Sequence, residues 1–489
     1  MSRRRSTPAT KSNVSKNFFT GAGIGLAVFI ISLVIVVFGA LSAAKNYVRS
    51  DKFREMLANV LSENLKAAGQ IESVTWQDSS AFTDRLTARG YQDAGFAKLD
   101  VAGVRAQLDL STEHFKRGVW KIPEITVSQL DVVLSENRLP GTYAEANQKS
   151  REVEMAAQEG EPNALAALLP KEIEVDTTRI SNVNLYWEKG DEKFQATGIQ
   201  TTITPTSAQN SLRIQSVGGT IQGTGSEKLK IQEVDLNWNL EKNEFYISKA
   251  DIGFGSDAKL RVEGDIKMGG DDAKGDMLLR ANITDLDIRD LVADTWQRRL
   301  QGNLKAEATM TGDPNDMESA IQVGTVTLDK GVIEALPVLD LLGTYTKNDR
   351  FRRIALRDGG SAEFSRKGSR TEIRNIDLQS DGLAKLSGSL DIEGKDLSGV
   401  LQLGIVPGTL RLIPGAERTV FVDSRDGYLW TDINVSGTVS EPTHDLVAQM
   451  RDAGIDAAMD FGRGVVSDPM KAKDDAIKMG TDLLKGFFK

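Results

Sequence analysis

Val234-Asp235-Leu236-Asn237-Trp238-Asn239-Leu240 alternates apolar and polar residues without a break. Successive side chains of a strand point to opposite faces, so Leu236, Trp238 and Leu240 share one side while Asp235, Asn237 and Asn239 share the other. The same alternation recurs outward from this stretch. Upstream stand Val183, Leu185 and Trp187; downstream come Leu260, Val262, Ile266 and Met268, then Met277, Leu279, Ala281 and Ile283. Leu304, Ala306, Ala308 and Met310 follow, then Leu401, Leu403 and Ile405, and finally Leu429, Ile433 and Val435. Turn-forming runs separate them, such as MGGDDAKGD at 268–276, TGDPND at 311–316, SRKGSR at 365–370 and DSRDG at 423–427. Segments recurring every ~12–16 residues predict hairpins, and therefore a mainly β fold built on a long antiparallel meander sheet.

Such a sheet has one apolar face, which must be screened from water. Two arrangements satisfy the pattern: a second sheet closing β-sandwiches, or a curved sheet whose apolar face is left as a groove for an apolar ligand. At about 4.8 Å per strand, some 15–18 strands would make a trough on the order of 70–85 Å long.

The chain has 489 residues, 40% hydrophobic and 26% charged, with no Cys and two His, His114 and His444. Absence of cysteine excludes disulfides, thiolate metal sites and a thiol nucleophile, and two histidines exclude a three-histidine metal centre. No Ser lies in a G-x-S-x-G context. Gly218, Gly219, Gly223 and Gly225 have no dinucleotide-binding register, and Asp423 and Asp426 lack the ligand spacing of a calcium loop. These read as turns, and no enzyme chemistry, cofactor or metal is expected. Arg3, Arg4, Arg5, Lys11 and Lys16 give the first 44 residues a charge of +5, so the rest of a −9 chain carries −14. An acidic body is unsuited to nucleic acid.

Asn17–Ala44 holds 28 residues without a charge. Spanning ~30 Å of hydrocarbon takes about 20 residues, so this run is read as a transmembrane anchor. A cleaved signal would have a shorter apolar core. The basic residues before the span place the N-terminus in the cytoplasm and the body across the membrane. The expected organisation is a basic tail over 1–16, the anchor over 17–44, and an amphipathic helix with a first β segment over 45–140. A polar linker with a short helix follows over 141–170, then the main sheet over 171–442 and a helical tail over 443–489. Phe53, Leu57, Val60, Leu61 and Leu65 predict the helix over Asp51–Gly69, packed under the sheet, and a further helix is read at Ile333–Tyr345.

The stretch "VTLDKGVIEALPVLDLLGTYTKNDRFRRIAL", the strands and L-x-G turns after it, and the closing Gly437-Thr438-Val439-Ser440-Glu441-Pro442 give residues 300–446 their character. With the anchor, short helix and acidic body, this running order resembles the AsmA-like proteins of Gram-negative envelopes, relatives of bridge-like lipid-transfer proteins. The resemblance implies a periplasmic β-groove anchored in the inner membrane. Such a groove would hold phospholipid or other acyl chains and support lipid movement or outer-membrane biogenesis, with an envelope partner or self-association completing the path.

Candidate groove residues are therefore Leu236, Trp238, Leu240, Leu260, Val262, Leu279, Leu401, Leu403, Ile405, Ile433 and Val435. Trp187 and Trp430 are read as core or groove wall. Leu483, Leu484, Phe487 and Phe488 cluster on one side of a C-terminal helix beside Lys485 and Lys489, to dock on the sheet end or to contact membrane or a partner. The rival reading is a scaffolding envelope protein of stacked β-sandwiches without lipid cargo.

Overall fold

Period-two alternation becomes strand through most of the described chain, because a half-apolar strand can satisfy its backbone only by pairing with neighbours. The computed structural model describes residues 58–453 apart from 112–118, 149–171, 225–227, 270–273, 291–296, 335–342, 344–347 and scattered shorter breaks. The expected anchor Asn17–Ala44, most of the polar linker, His114 and the Leu483–Phe488 cluster lie outside the described residues. Among those described, no helix is long and apolar enough to cross a membrane. The fold is mainly β, a long mixed and mostly antiparallel meander. It divides into two compact units, one ending at Ala250 and including Asp265–Gly275, the other comprising Asp251–Gly264 and the chain from Asp276 onward.

In the first unit, residues 61–65 are helical and Lys66 is left-handed at φ 49°, which ends the helix. The helix was expected to reach Gly69. Instead, Ala67–Ile71 forms strand β1, and the amide of Gly69 donates to the Ser62 hydroxyl at 2.9 Å. Next come β2 (Val74–Gln77), β3 (Ser80–Gly90), β4 (Lys98–Asp109) and β5 (Val119–Val133). β6 (Glu172–Lys189), β7 (Glu192–Pro205), β8 (Ser211–Val217), β9 (Thr220–Gly223) and β10 (Leu229–Asn239) complete the ladder. β1 and β2 pair with β3, the chain then pairs in sequence to β7, and β8 and β9 both bridge β7 to β10.

One pair departs from the expected meander. β5 and β6 run parallel, Val127 opposite Ile180 and Leu130 opposite Val183. A parallel pair needs a long return crossing, and the connection from Val133 to Glu172, which contains the polar linker, supplies the length. Leu61 and Leu65 are buried in one core with Leu86, Leu99, Val101, Ile125 and Leu130. The helix therefore covers this part of the apolar face, as the sequence spacing leads one to expect.

β11 (Glu244–Phe254) and β12 (Ala258–Lys267) span the division between the units. The second unit continues with β13 (Asp276–Asp287), β14 (Leu300–Gly312), β15 (Ile321–Glu334), β16 (Arg353–Lys367), β17 (Arg370–Ser380), β18 (Ala384–Glu393) and β19 (Asp396–Ile405). Every pair in this series is antiparallel, each strand with the next. Ile333 and Glu334 close β15, where a helix start was expected; Ile333 lies opposite Ile354. Two short helices that the strand pattern conceals follow, α1 (Pro407–Leu410) and α2 (Ala416–Thr419). Pro407 heads α1, where its missing N–H has no partner to lose. Next are β20 (Asp423–Arg425), β21 (Tyr428–Gly437), β22 (Pro442–His444) and α3 (Leu446–Asp452). β21 pairs with β19, β20 and β22. Asp426 and Gly427 have φ of 53° and 80°, so DSRDG is a tight hairpin turn, as read from the sequence.

The face opposite the apolar one is stitched by ion pairs. Arg85 chelates Asp100 at 2.8 and 2.6 Å, and Arg213 chelates Asp235 at 3.0 and 2.5 Å. Hydrogen bonding from Arg85 is the main reason the Asp100 carboxyl sits below its ordinary 3.8; Arg213 does the same for Asp235. A depressed carboxylate contributes stability above the unfolded value and loses it as pH falls through the folded one. Asp100→Asn is therefore expected to unfold at lower urea than the parent at pH 7, with the gap narrowing as pH falls below the ordinary 3.8 and Asp100 becomes protonated in the folded chain. A gap that does not narrow below that pH in paired urea titrations would count against this origin.

Candidate functional site

Register turns the alternation of single strands into rows that cross the second unit. One row runs Leu304, Leu328, Gly360, Leu378, Leu386 and Leu403 from β14 to β19. A second runs Ala308, Gly324, Phe364, Ile373, Leu390 and Gly399. A third begins at Leu279 on β13 and passes through Met310, Gln322, Arg366, Thr371, Ile392 and Leu397. All three occupy one face. Lys305–Asp329, Arg374–Asp391 at 2.6 Å and Lys385–Asp377 at 3.2 Å pair on the other.

The rows differ in cover. The first leans on cores at both ends, with Leu328, Leu378 and Leu386 half-buried between them against the larger one. Leu304 belongs to a small core with Ile283, Leu286 and Ala306, and Leu403 lies in a larger one with Ile405 and Ile433. That larger core is sealed by Leu410 of α1, Ala416 of α2, and Leu446 and Met450 of α3, all 0–1% exposed. In the second and third rows, Leu279, Met310, Phe364, Ile373, Leu390 and Leu397 are only half-buried. None of them belongs to a buried core among the described residues. The second row is the most open of the three, half-buried along its whole length, whereas in the third Gln322, Thr371 and Ile392 are 9%, 6% and 8% exposed.

Glycine keeps this face low. Gly324 faces Phe364 across the ladder, and a Cβ at Gly324 would stand 2.8 Å from the Phe364 ring and 2.2 Å from the Glu307 carbonyl oxygen. Gly399 faces Leu390, and its Cβ would meet the Ser389 carbonyl oxygen at 2.3 Å. Large side chains thus lie across their glycine neighbours instead of standing against a second branched residue. Register shifts between Ile283 and Leu286, Leu328 and Val332, and Ile373 and Ile376 bend the strands locally.

The residues expected to line a groove sort into three groups. Leu279, Leu401 and Val435 are half-buried on the second unit's apolar face, the last two leaning on its closed core. Leu260 and Val262 are half-buried on β12, Leu260 against the small core. Leu236 and Leu240 are half-buried in the first unit, where Leu236 lies in a row with Ile203 and Ile214.

Leu403, Ile405 and Ile433 are 8%, 0% and 8% exposed and lie in the core sealed by helices that the strand pattern hides. Trp238 is also interior, 2% exposed and stacked on Phe245 at 5.2 Å. Trp430 lies on the opposite face, its ring over Gly404 and its indole N–H donating to the Arg425 carbonyl at 3.1 Å. Phe364, Ile373 and Leu390 were missed. The bulge at Ile373/Ile376 puts two apolar residues three apart, which breaks the period that would have revealed them.

Among the described residues no group of three His, Asp or Glu is placed to hold a metal ion. The site is a surface of apolar contact. No family model, curated protein or solved structure matches the chain.

A buried leucine stripped to alanine loses ~2–5 kcal/mol when a cavity remains, whereas a half-buried one has roughly half the transfer energy at stake. Leu403→Ala is therefore expected to cost about 2–5 kcal/mol and Leu390→Ala about 1 kcal/mol or less by urea unfolding. Equal losses would mean that the second row is covered after all.

Proposed function

We propose that this chain is a membrane-anchored lipid-binding protein whose apolar sheet face is a groove for acyl chains. The observation that carries the reading is the half-buried state of Phe364, Ile373, Leu390 and Leu397 on a face whose reverse is ion-paired. Leaving apolar area in water costs about 25 cal/mol per Å², and shielding an acyl chain gains ~0.8 kcal/mol per methylene. A face of this kind and a lipid tail therefore relieve each other without any directed bond. Nothing in this exchange requires a nucleophile, an acid–base pair or a metal, and the chain acts by binding and not by catalysis.

The span Asn17–Ala44 would hold the body beside the inner membrane on its periplasmic side, where lipid leaving the bilayer can be received. The resemblance to AsmA-like proteins points the same way and extends the role to phospholipid movement or outer-membrane biogenesis. A β-sandwich scaffold needs a second sheet over the apolar face. The described strands of the second unit instead join edge to edge in one ladder, which favours the groove.

Mass spectrometry of the full chain, extracted in mild detergent, is expected to find acyl lipid retained after gel filtration. Leu390→Asp, which places a charge on the open face, is expected to remain folded and to lose most of that lipid. A parent chain free of lipid, or a Leu390→Asp variant that retains it fully, would overturn the reading.

A further inference from the structure

The third row is apolar at both ends and polar in the middle. Gln322, Arg366 and Thr371 are consecutive partners across β15, β16 and β17, between Met310 on one side and Ile392 on the other. In the second and third rows Arg366 is the only charged side chain. Gln322 is 9% exposed; its carbonyl oxygen has no hydrogen-bond partner, and its amide nitrogen reaches only the Met310 sulfur at 3.5 Å. Thr371 is 6% exposed. Arg366 is anchored by its Nε, which donates to the Gly368 carbonyl at 3.2 Å, so the guanidinium is held at the hairpin. Burial pulls Arg366 below its ordinary value, and an anion brought beside it would relieve that cost. Lys367 and Arg370 of the same hairpin lie one position on and so face the other side of the sheet, Arg370 paired with Glu372 at 2.7 Å, which leaves Arg366 as the hairpin's charge on the apolar face.

The orphaned Gln322 oxygen is an acceptor and calls for a hydroxyl. The Gln322 amide nitrogen, spent on a weak sulfur acceptor, the Thr371 hydroxyl and the Arg366 guanidinium are donors on an otherwise apolar face. Together they suit a ligand that is apolar along its length and anionic at one end. Guanidinium, amide and hydroxyl donors are the groups that recognise phosphate oxygens. Resting on the groove reading above, we infer that Arg366, with Gln322 and Thr371, forms a headgroup subsite that takes the phosphate of an acyl lipid whose tails lie over Phe364, Ile373 and Leu390. The subsite sets which end of the lipid stands at the 313–320 and 368–369 hairpins, and it selects phospholipid over neutral lipid of the same chains.

The test uses the full chain in mild detergent with phosphatidylglycerol, diacylglycerol and free fatty acid of matched acyl length, and reads retention by native mass spectrometry. The parent is expected to retain phosphatidylglycerol over diacylglycerol by about tenfold, which corresponds to ~1.4 kcal/mol. Arg366→Gln is expected to cut that ratio at least fivefold while diacylglycerol is still held, and Arg366→Lys to restore part of it. An equal ratio in the parent, or an unchanged one in Arg366→Gln, overturns the subsite and leaves the groove standing. Preference for fatty acid over phosphatidylglycerol assigns the site to carboxylate and overturns the phosphate. Retention of none of the three overturns the groove and the subsite together. Should Arg366→Gln not fold, Gln322→Met decides: the expected result is a higher Tm without lipid and a smaller phosphatidylglycerol ratio. An unchanged ratio in that variant rejects the subsite.

Discussion

A backbone N–H or C=O buried without a partner costs more than most side-chain contacts return, and this chain answers that demand almost entirely with ladders between adjacent strands. The ladder in turn dictates where side chains go. Once Leu386 is hydrogen-bonded opposite Leu403, every second residue of both strands is committed to the same side. Repeated from β13 to β19, the commitment separates ion pairs such as Arg374–Asp391 from the rows through Phe364 and Leu390. A slip of one residue anywhere would bring charge onto the greasy side. Sidedness is therefore a property of the whole ladder and not of any one strand.

Cover is distributed unevenly on that side. The helix at 61–65 shields one stretch in the first unit, and α1, α2 and α3 shield another in the second. Away from α1, α2 and α3 the second unit's sheet carries half-buried leucine, isoleucine and phenylalanine lying over glycine. Branched residues at Gly324 and Gly399 would build a taller, self-filling layer. With glycine there, the surface stays shallow.

Much of this was legible in the alternation alone. Leu279, Leu401 and Val435 were placed on the apolar face by counting in twos, and DSRDG was readable as a turn because Asp-Gly tolerates positive φ. The remainder depends on information that a single strand does not carry. Parallel pairing of β5 with β6 is invisible in their composition, since both directions use the same residues. The short helices between Val406 and Thr419 sit among Pro407, Pro414 and Gly415, which read as loop, so the burial of Leu403 and Ile405 could not be foreseen. Ile373 and Ile376 fall out of period because the register slips between them. Trp430 attracts attention as a large aromatic, but its parity places it with Gly404 on the reverse face.

The final strand closes the second unit in a way that bears on assembly. β22 is three exposed residues, opened by Pro442 opposite Gly437, and among the described residues it pairs with β21 alone. Proline offers no donor, and so short an edge gives an incoming strand almost nothing to grip. The sheet therefore ends in a blunt stop. Among the described residues, that border offers copies of this protein, or unfolded chains drifting past, little backbone to extend into a fibre.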